Sequence, residues 1–322
     1  MLRWLAFSDI HLKHVNDPKR VGDVERLFTE LIAVVKSRNV KLVAFLGDWY
    51  NSKAFLHAAL CNYSLEKVEE LSKLAELLFV VGNHDQIFVD KKESTLRPFS
   101  RFGHVFEEPG QFSHPDMTFS CLPFTRNVEE IRTFCAKPAN VLLGHIELDG
   151  LRASKSWTMK SSIIREDLGQ NHKLILTGHI HWPQTIGNVI CIGSPLEHDF
   201  SDAGSNPRGF FIFDGVDLTE FYALSDYPKH FILDYPSPLP EGDNYVRVIG
   251  VPREDVQKVL HEASTKGIRE ISVIPKVEKV DSTPDRVHTI DTALREYVEK
   301  NADDSFEKGE LVDLGISYLR TR

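Results

Sequence analysis

The stretch Leu77-Leu78-Phe79-Val80-Val81-Gly82-Asn83-His84-Asp85 constrains the fold more than any other part of the chain. Five apolar residues in a row, two of them β-branched, predict a strand inside a sheet covered on both faces. A glycine then lets the backbone turn sharply, and three polar side chains follow it. In open α/β sheets such junctions at the carboxyl ends of strands are where ligands bind. The pattern recurs. Leu5-Ala6-Phe7-Ser8 leads into Asp9-Ile10-His11, Leu42-Val43-Ala44-Phe45-Leu46 into Gly47-Asp48, Val141-Leu142-Leu143 into Gly144-His145, and Leu174-Ile175-Leu176-Thr177 into Gly178-His179-Ile180-His181. Five strands are therefore expected to deliver their ends to one rim.

The segments between these strands carry helical spacing. Asp23 to Arg38 places Val24, Leu27, Phe28, Leu31, Ile32, Val34 and Val35 on one face, and Ala54 to Leu78 does the same with Leu65, Val68, Leu71, Leu74 and Leu78. The opening third thus reads strand, helix, strand, helix, strand, which predicts an α/β fold with parallel strands. A brief helix is expected from Glu129 to Cys135, and after His181 the pattern changes to short strands at Val189 to Ile192, Gly209 to Phe213, Thr219 to Ala223 and His230 to Asp234. Pro228, Pro236, Pro238 and Pro240 then mark a boundary, so the first domain is taken as residues 1–240. Beyond it Tyr245 to Val251, Glu254 to Ser264 and Ile268 to Ile274 read as a small β-α-β unit, residues 241–280. The polar break Asp281-Ser282-Thr283-Pro284-Asp285 introduces a helical segment, residues 281–322, with helices expected at Thr289 to Lys300 and Phe306 to Leu319.

Composition excludes several classes. No apolar run approaches the roughly 18 residues that a membrane helix needs, and Met1 to Phe7 is too short for a signal peptide, so a cytoplasmic chain without a membrane partner is expected. Cys61, Cys121, Cys135 and Cys191 show no CxxC spacing, which points to reduced, packed thiols. The net charge of −9 lacks the basic footprint typical of polyanion binders, but its distribution is uneven. Residues 1–100 hold 14 basic against 13 acidic side chains, whereas residues 201–322 hold 15 against 23. Between the last two histidine motifs, Arg152, Lys155, Lys160, Arg165 and Lys173 outnumber Glu166 and Asp167; an ordinary solvated loop and a phosphate-facing one fit that run equally well.

The strand ends supply two carboxylates (Asp9, Asp48), one amide oxygen (Asn83) and four imidazoles (His11, His145, His179, His181), with no thiolate. Seven ligands exceed what one ion with a water site takes, and they suit two adjacent ions about 3.5 to 4 Å apart, the arrangement that activates water in phosphatases and nucleases. Oxygen and nitrogen donors favour manganese, magnesium or iron over structural zinc. His84 is left over as a proton or hydrogen-bond donor, with Asp85 either its orienting partner or a loop-capping carboxylate. Trp49, Tyr50, Trp157 and Trp182 lie beside the motifs and are either core or stacking surfaces for unpaired bases.

Asp9-x-His11, Gly47-Asp48, Gly82-Asn83-His84-Asp85, Gly144-His145 and Gly178-His179-x-His181, in this order, resemble the calcineurin-like metallophosphoesterase signature over residues 1 to about 215. Within that superfamily Gly144-His145-Ile146-Glu147-Leu148-Asp149-Gly150, Ile192-Gly193-Ser194-Pro195 and Asn206-Pro207-Arg208-Gly209-Phe210 are similar to the SbcD nucleases, especially the phage-encoded subunits. The resemblance implies a four-layer α-β-β-α sandwich, a small α+β DNA-binding cap and a helical tail that docks on an SbcC-type, SMC-like ATPase within a homodimer-based heterotetramer. It implies two divalent ions, manganese or else magnesium: Asp9, His11, Asp48 and His181 would hold the first, and Asp48, Asn83, His145 and His179 the second, with Asp48 bridging. It further implies 3′ to 5′ exonuclease and single-strand endonuclease activity on DNA ends in repair, recombination or replication. One position departs from the family: Asn51 stands where an Asp or His is frequent, and Asn51 can bind a phosphate but not exchange a proton. Two other readings are a phosphatase or small phosphodiesterase of the same superfamily and a scaffold that has lost catalysis.

Overall fold

The computed structural model describes residues 1–13, 18–53, 55–88, 93–204, 207–276, 290–301 and 307–320. They fall into two units, Met1–Pro275 and Lys276–Arg322. In the first unit the parallel strands β1 (Arg3–Phe7), β2 (Leu42–Phe45), β3 (Glu76–Val80) and β4 (His104–Phe106) form one sheet. It is extended antiparallel beyond β1 by the return strands β11 (Gly209–Asp214) and β12 (Asp217–Ala223). A second sheet runs β5 (Gly110–His114), β6 (Met117–Leu122), β7 (Ala139–His145), β8 (His172–Gly178), β10 (Val189–Cys191) and β9 (Gln184–Ile186).

Period-two alternation sorts the side chains into layers. From β1, Trp4 and Ala6 join Leu42, Leu78, Phe119, Val141, Leu143 and Leu176 in a core between the two sheets. Leu5 and Phe7 point the other way, onto Leu27, Phe28, Leu31, Val68 and Leu71 of helices α1 (Pro18–Ser37) and α2 (Ala58–Ser72). Across the second sheet Leu142 and Ile175 pack on Ile131, Phe134 and Cys135 of α3 (Val128–Cys135). The result is the four-layer α-β-β-α sandwich. Three cysteines are buried and Cys61 half-buried, all unbonded.

The five strand ends do meet, but from two sheets: β1, β2 and β3 face β7 and β8 across the edge of the sandwich. Helix α2 stops at Ser72, before Leu74 and Leu78, because the chain must already be extended at Glu76 to pair with Leu42. A third, all-parallel sheet holds β13 (His230–Asp234), β14 (Tyr245–Val251) and β15 (Glu270–Pro275), with α4 (Val256–Thr265) as its crossover. Its first strand comes from upstream of the proline-rich stretch, since His230 to Asp234 pairs with Tyr245 to Ile249. In the second unit α5 (Ile290–Asn301) and α6 (Lys308–Arg320) pack together, with Gly315 so close to Leu294 that an added methyl would collide. The polar break at 281–285 lies outside the described residues. Among the described residues no helix is long and apolar enough to cross a membrane.

Candidate metal centre

The seven ligand candidates converge at the rim in two adjoining groups. In the first, His11 Nε2 lies 3.1 Å from His181 Nε2, 3.5 Å from Asp48 Oδ2 and 3.9 Å from Asp9 Oδ1. In the second, His145 Nε2 lies 3.0 Å from Asn83 Oδ1, 3.3 Å from His179 Nδ1 and 3.4 Å from Asp48 Oδ2. Asp48 Oδ2 thus faces both groups. Its other oxygen, Oδ1, accepts the backbone N–H of His84 at 2.9 Å, so the carboxylate cannot swing away.

Local backbone makes this convergence possible. Among the described residues six other than glycine have positive φ, and Asp9, His11, Asp48 and His179 are four of them, at 53°, 42°, 62° and 81°. Such conformations cost on the order of 1–3 kcal/mol each and persist only where surrounding contacts impose them. Asp9 N–H is held by the Gly47 carbonyl at 2.9 Å, and His179 N–H by the Asp9 carboxylate at 3.1 Å. The motif glycines supply room: a Cβ on Gly47 would strike His145 Nδ1, one on Gly82 would strike Asp48 Oδ1, and one on Gly178 would strike Ser8 Oγ.

Hydrogen bonds on the far side of each ring fix which nitrogen faces inward. His145 Nδ1 donates to the Leu46 carbonyl at 2.7 Å, leaving Nε2 toward Asn83. His181 Nδ1 faces Asp202 Oδ1 at 3.3 Å, leaving Nε2 toward His11. Imidazole nitrogens, an amide oxygen and carboxylates so crowded and buried oppose lone pair to lone pair, which a positive charge among them relieves. The residues therefore fit divalent cations that prefer nitrogen and oxygen, with Asp9, His11, Asp48 and His181 around one place and Asp48, Asn83, His145 and His179 around the other. The electrostatics of the cluster make the same demand. Burial opposes charge on His145, but the Asp48 carboxylate pushes its pKa up to about 9. Against its own burial, Asp48 is held below the usual carboxylate range by His145. His11 and His179 are pushed down to about 3, chiefly by burial, so both stand ready as neutral ligands.

The residues outside the ligand set fall differently from the sequence reading. His84 stands with its ring centroid 4.8 Å from that of His11. Its Nδ1 donates to the Asn51 backbone carbonyl at 2.8 Å, which leaves Nε2 as its free nitrogen. Asp85 is therefore not its orienting partner. The fully buried Asp85 carboxylate instead accepts N–H groups from Asp48, Trp49 and Gly82 at 2.8, 2.9 and 3.0 Å, pinning the two loops together. Asn51 lines the cavity of about 230 Å³ that opens over the ligands, together with His84 and Lys13. Trp49 and Tyr50 are core residues, 0% and 2% exposed, and cannot stack on bases; Trp157 is exposed.

Four buried groups support the first ligand set, a role that no spacing in the sequence assigns to them. His198 Nε2 donates to the Asp9 carbonyl at 2.7 Å, and its ring lies 5.1 Å from both His11 and His181. Asp202 orients His181 and is itself paired with Arg208 at 3.3 Å. Arg208 also donates to Ser194 and to the Leu196 carbonyl, while Glu197 accepts the His230 N–H at 2.5 Å. Only Arg208 carried a signal, as part of the Pro207-Arg208-Gly209 motif; no spacing links Asp202 or His198 to the strand ends.

Residues 2–183 match the family described as Calcineurin-like phosphoesterase. “Putative phosphoesterase 244L” of Invertebrate iridescent virus 6 is 22% identical over 200 residues, 57% of this chain and 69% of its own length. Among solved structures the chain is similar to the nuclease MPE of Pseudomonas putida, with 15% identity and a TM-score of 0.30 over 56% of this chain and 62% of that one. An archaeal phosphodiesterase matches with 14% identity and a TM-score of 0.33, over 66% of this chain and 93% of that one. The purple acid phosphatase PPD1 of yellow lupin matches with 14% identity and a TM-score of 0.38, over 61% and 41%.

Proposed function

Since this chain belongs to the calcineurin-like phosphoesterase family, we propose that it is a two-metal, manganese-dependent phosphodiesterase that cuts DNA, an SbcD-type nuclease subunit. The observation that carries the two-metal reading is the position of Asp48 Oδ2, 3.5 Å from His11 Nε2 and 3.4 Å from His145 Nε2. One oxygen shared by two ligand groups is what a bridging carboxylate requires. Two divalent cations bound there supply a nucleophilic water at neutral pH and neutralise charge developing on the phosphoryl oxygens. The chain's own residues do the rest. Asp48, fixed by His84 N–H, and the histidines, fixed through Leu46 and Asp202, hold the scissile phosphate's neighbours without reorganisation. His84, its Nδ1–H committed to Asn51, presents Nε2 to the site, and as the imidazolium, with a second N–H there, it would give a hydrogen bond or proton to the phosphate or to the leaving 3′ oxygen.

The preference for DNA rests on the 144–150, 192–195 and 206–210 motifs, which resemble those of the SbcD nucleases. On the same ground the C-terminal helices are assigned to docking an SbcC-type ATPase, and the active form to a homodimer carrying it. Acidity fits a protein contact there better than a DNA contact, because residues 201–322 carry 23 acidic against 15 basic side chains. The test is to incubate the purified chain and manganese with end-labelled linear DNA, circular single-stranded DNA, bis(4-nitrophenyl) phosphate and 4-nitrophenyl phosphate. Cleavage of DNA and of the diester is expected. Hydrolysis of the monoester alone overturns the nuclease reading in favour of a phosphatase, and inertness toward all four leaves a scaffold.

A further inference from the structure

The basic run between the last two histidine motifs plays no part in the metal centre. Two of its residues, Arg152 and Lys155, line a cavity of about 600 Å³ whose other wall includes Phe200 and, from β14, Arg247. Two aromatic rings in this cavity each carry a guanidinium: Arg152 Cζ lies 4.7 Å from the Trp182 ring centroid, and Arg247 Cζ lies 4.1 Å from that of Phe200. Arg152 is anchored by bonds from Nε and Nη2 to the carbonyls of Ser154 and Lys155, and Trp182 Nε1 by a bond to the Ser201 carbonyl. Arg247 Nε is buried without a hydrogen-bond partner among the described residues.

None of the described residues lining the cavity is acidic, although the chain as a whole carries −9. Cations gathered in one place without carboxylates repel one another, and an anion relieves that repulsion. A half-buried aromatic ring beside uncompensated cations is the chemistry that receives a nucleic-acid strand: phosphates meet the charge, and a base or sugar meets Phe200, while the buried Trp182 backs Arg152. Three cations, Arg152 and Lys155 on one loop and Arg247 on β14, suit successive phosphates better than one isolated anion, and a cavity of about 600 Å³ is too small for a duplex. Trp182 directly follows the ligand candidate His181, so the cavity begins one residue from the metal centre.

We propose that the cavity between the 152–156 loop and β14 binds the phosphate backbone of an unpaired DNA strand that passes through the metal centre. The proposal rests on the nuclease reading and adds to it the path of the strand.

The probe is a fluorescent twelve-nucleotide oligothymidylate with phosphorothioate linkages, bound to the manganese-loaded full chain and followed by anisotropy across salt concentrations. The variant carries Arg152→Gln and Arg247→Gln, neither of which touches a ligand candidate. Each lost phosphate contact lowers the salt slope on single strands by about 0.7, so a fall of about 1.4 is expected, with a loss of affinity of tenfold or more. Hydrolysis of bis(4-nitrophenyl) phosphate, which does not reach the cavity, stays at the wild-type rate. The charge-retaining pair Arg152→Lys and Arg247→Lys restores the slope. Should the double variant not fold, the exposed Lys155→Gln replaces it, with an expected fall of about 0.7. An unchanged slope and affinity in a chain whose wild type binds the probe and cuts the same strand with ordinary phosphodiester linkages overturns the cavity assignment alone. A wild type that neither binds nor cuts it overturns the nuclease reading first. Inorganic phosphate competing as strongly as the strand, or an equal loss for blunt duplex, also overturns the proposal.

Discussion

Replacing Asp85 with alanine separates two roles that a carboxylate beside His84 can have. The structure gives Asp85 three buried N–H donors, from Gly82, Asp48 and Trp49, at 3.0, 2.8 and 2.9 Å. Hydrogen bonds to a charged acceptor contribute about 1.5–3 kcal/mol each, which taken singly sum to roughly 4.5–9 kcal/mol. The net loss is smaller, because burial and then the Asp48 charge push the Asp85 pKa up to about 7, so the ionised form is itself costly. Water entering the vacated space further offsets the loss. We expect destabilisation of about 3 kcal/mol, a fall in Tm of about 5 °C, and weakened metal binding as Asp48 loosens. The sign of the pH dependence follows. A folded-state pKa raised from 3.8 to about 7 means that the folded protein binds the extra proton, so Asp85 stabilises most below pH 4 and loses that contribution as pH rises through 7. The penalty measured by thermal or urea denaturation should therefore shrink between pH 5 and pH 8. A variant with wild-type Tm and full metal content but little turnover would refute this account and restore Asp85 as the partner of His84.

Three other substitutions or conditions probe the centre. Asp48→Ala should lose both metal ions by elemental analysis after dialysis, and normal two-ion content would refute the bridge. His84→Ala should keep both ions yet lose about 10²–10⁴-fold in kcat, the usual worth of a positioned proton donor; loss of metal instead would make it a ligand. In metal-free protein the raised pKa of His145, about 9, means that a cation entering the second group must displace a proton below that pH. Manganese affinity measured by calorimetry should accordingly rise about tenfold per pH unit up to about pH 9, with release of about one proton in excess of that from the buffer control. A flat profile between pH 6 and pH 9 would show that His145 is not protonated in the free site.

The ligand candidates were legible because each announces itself locally: an apolar run sets the strand, a glycine, or Ser8 after β1, ends it, and the polar residues at the turn inherit the rim. What could not be read is whatever depends on partners distant in the chain. Asp85 caps Asp48 across 37 positions and His84 leans on Asn51 across 33, so adjacency of His84 and Asp85 in sequence misleads. His198, Asp202 and Arg208 lie in a segment without periodicity, yet they surround His181 because β11 returns antiparallel to β1 and brings Arg208 back beside the first strand's end. That return also explains why the small sheet begins at His230 rather than after the prolines. Glu197, held near the metal centre, accepts the His230 N–H, tying β13 to the ligand-bearing edge. The metal centre and the small sheet therefore share one buried polar seam, Asp202-Arg208-Glu197-His230, in which removing the Arg208 charge leaves Asp202 and Glu197 buried without that cation. Conservative change there is the informative one: Arg208→Lys keeps the charge but not the several bonds to Ser194 and Leu196, and should loosen His181 and β13 together.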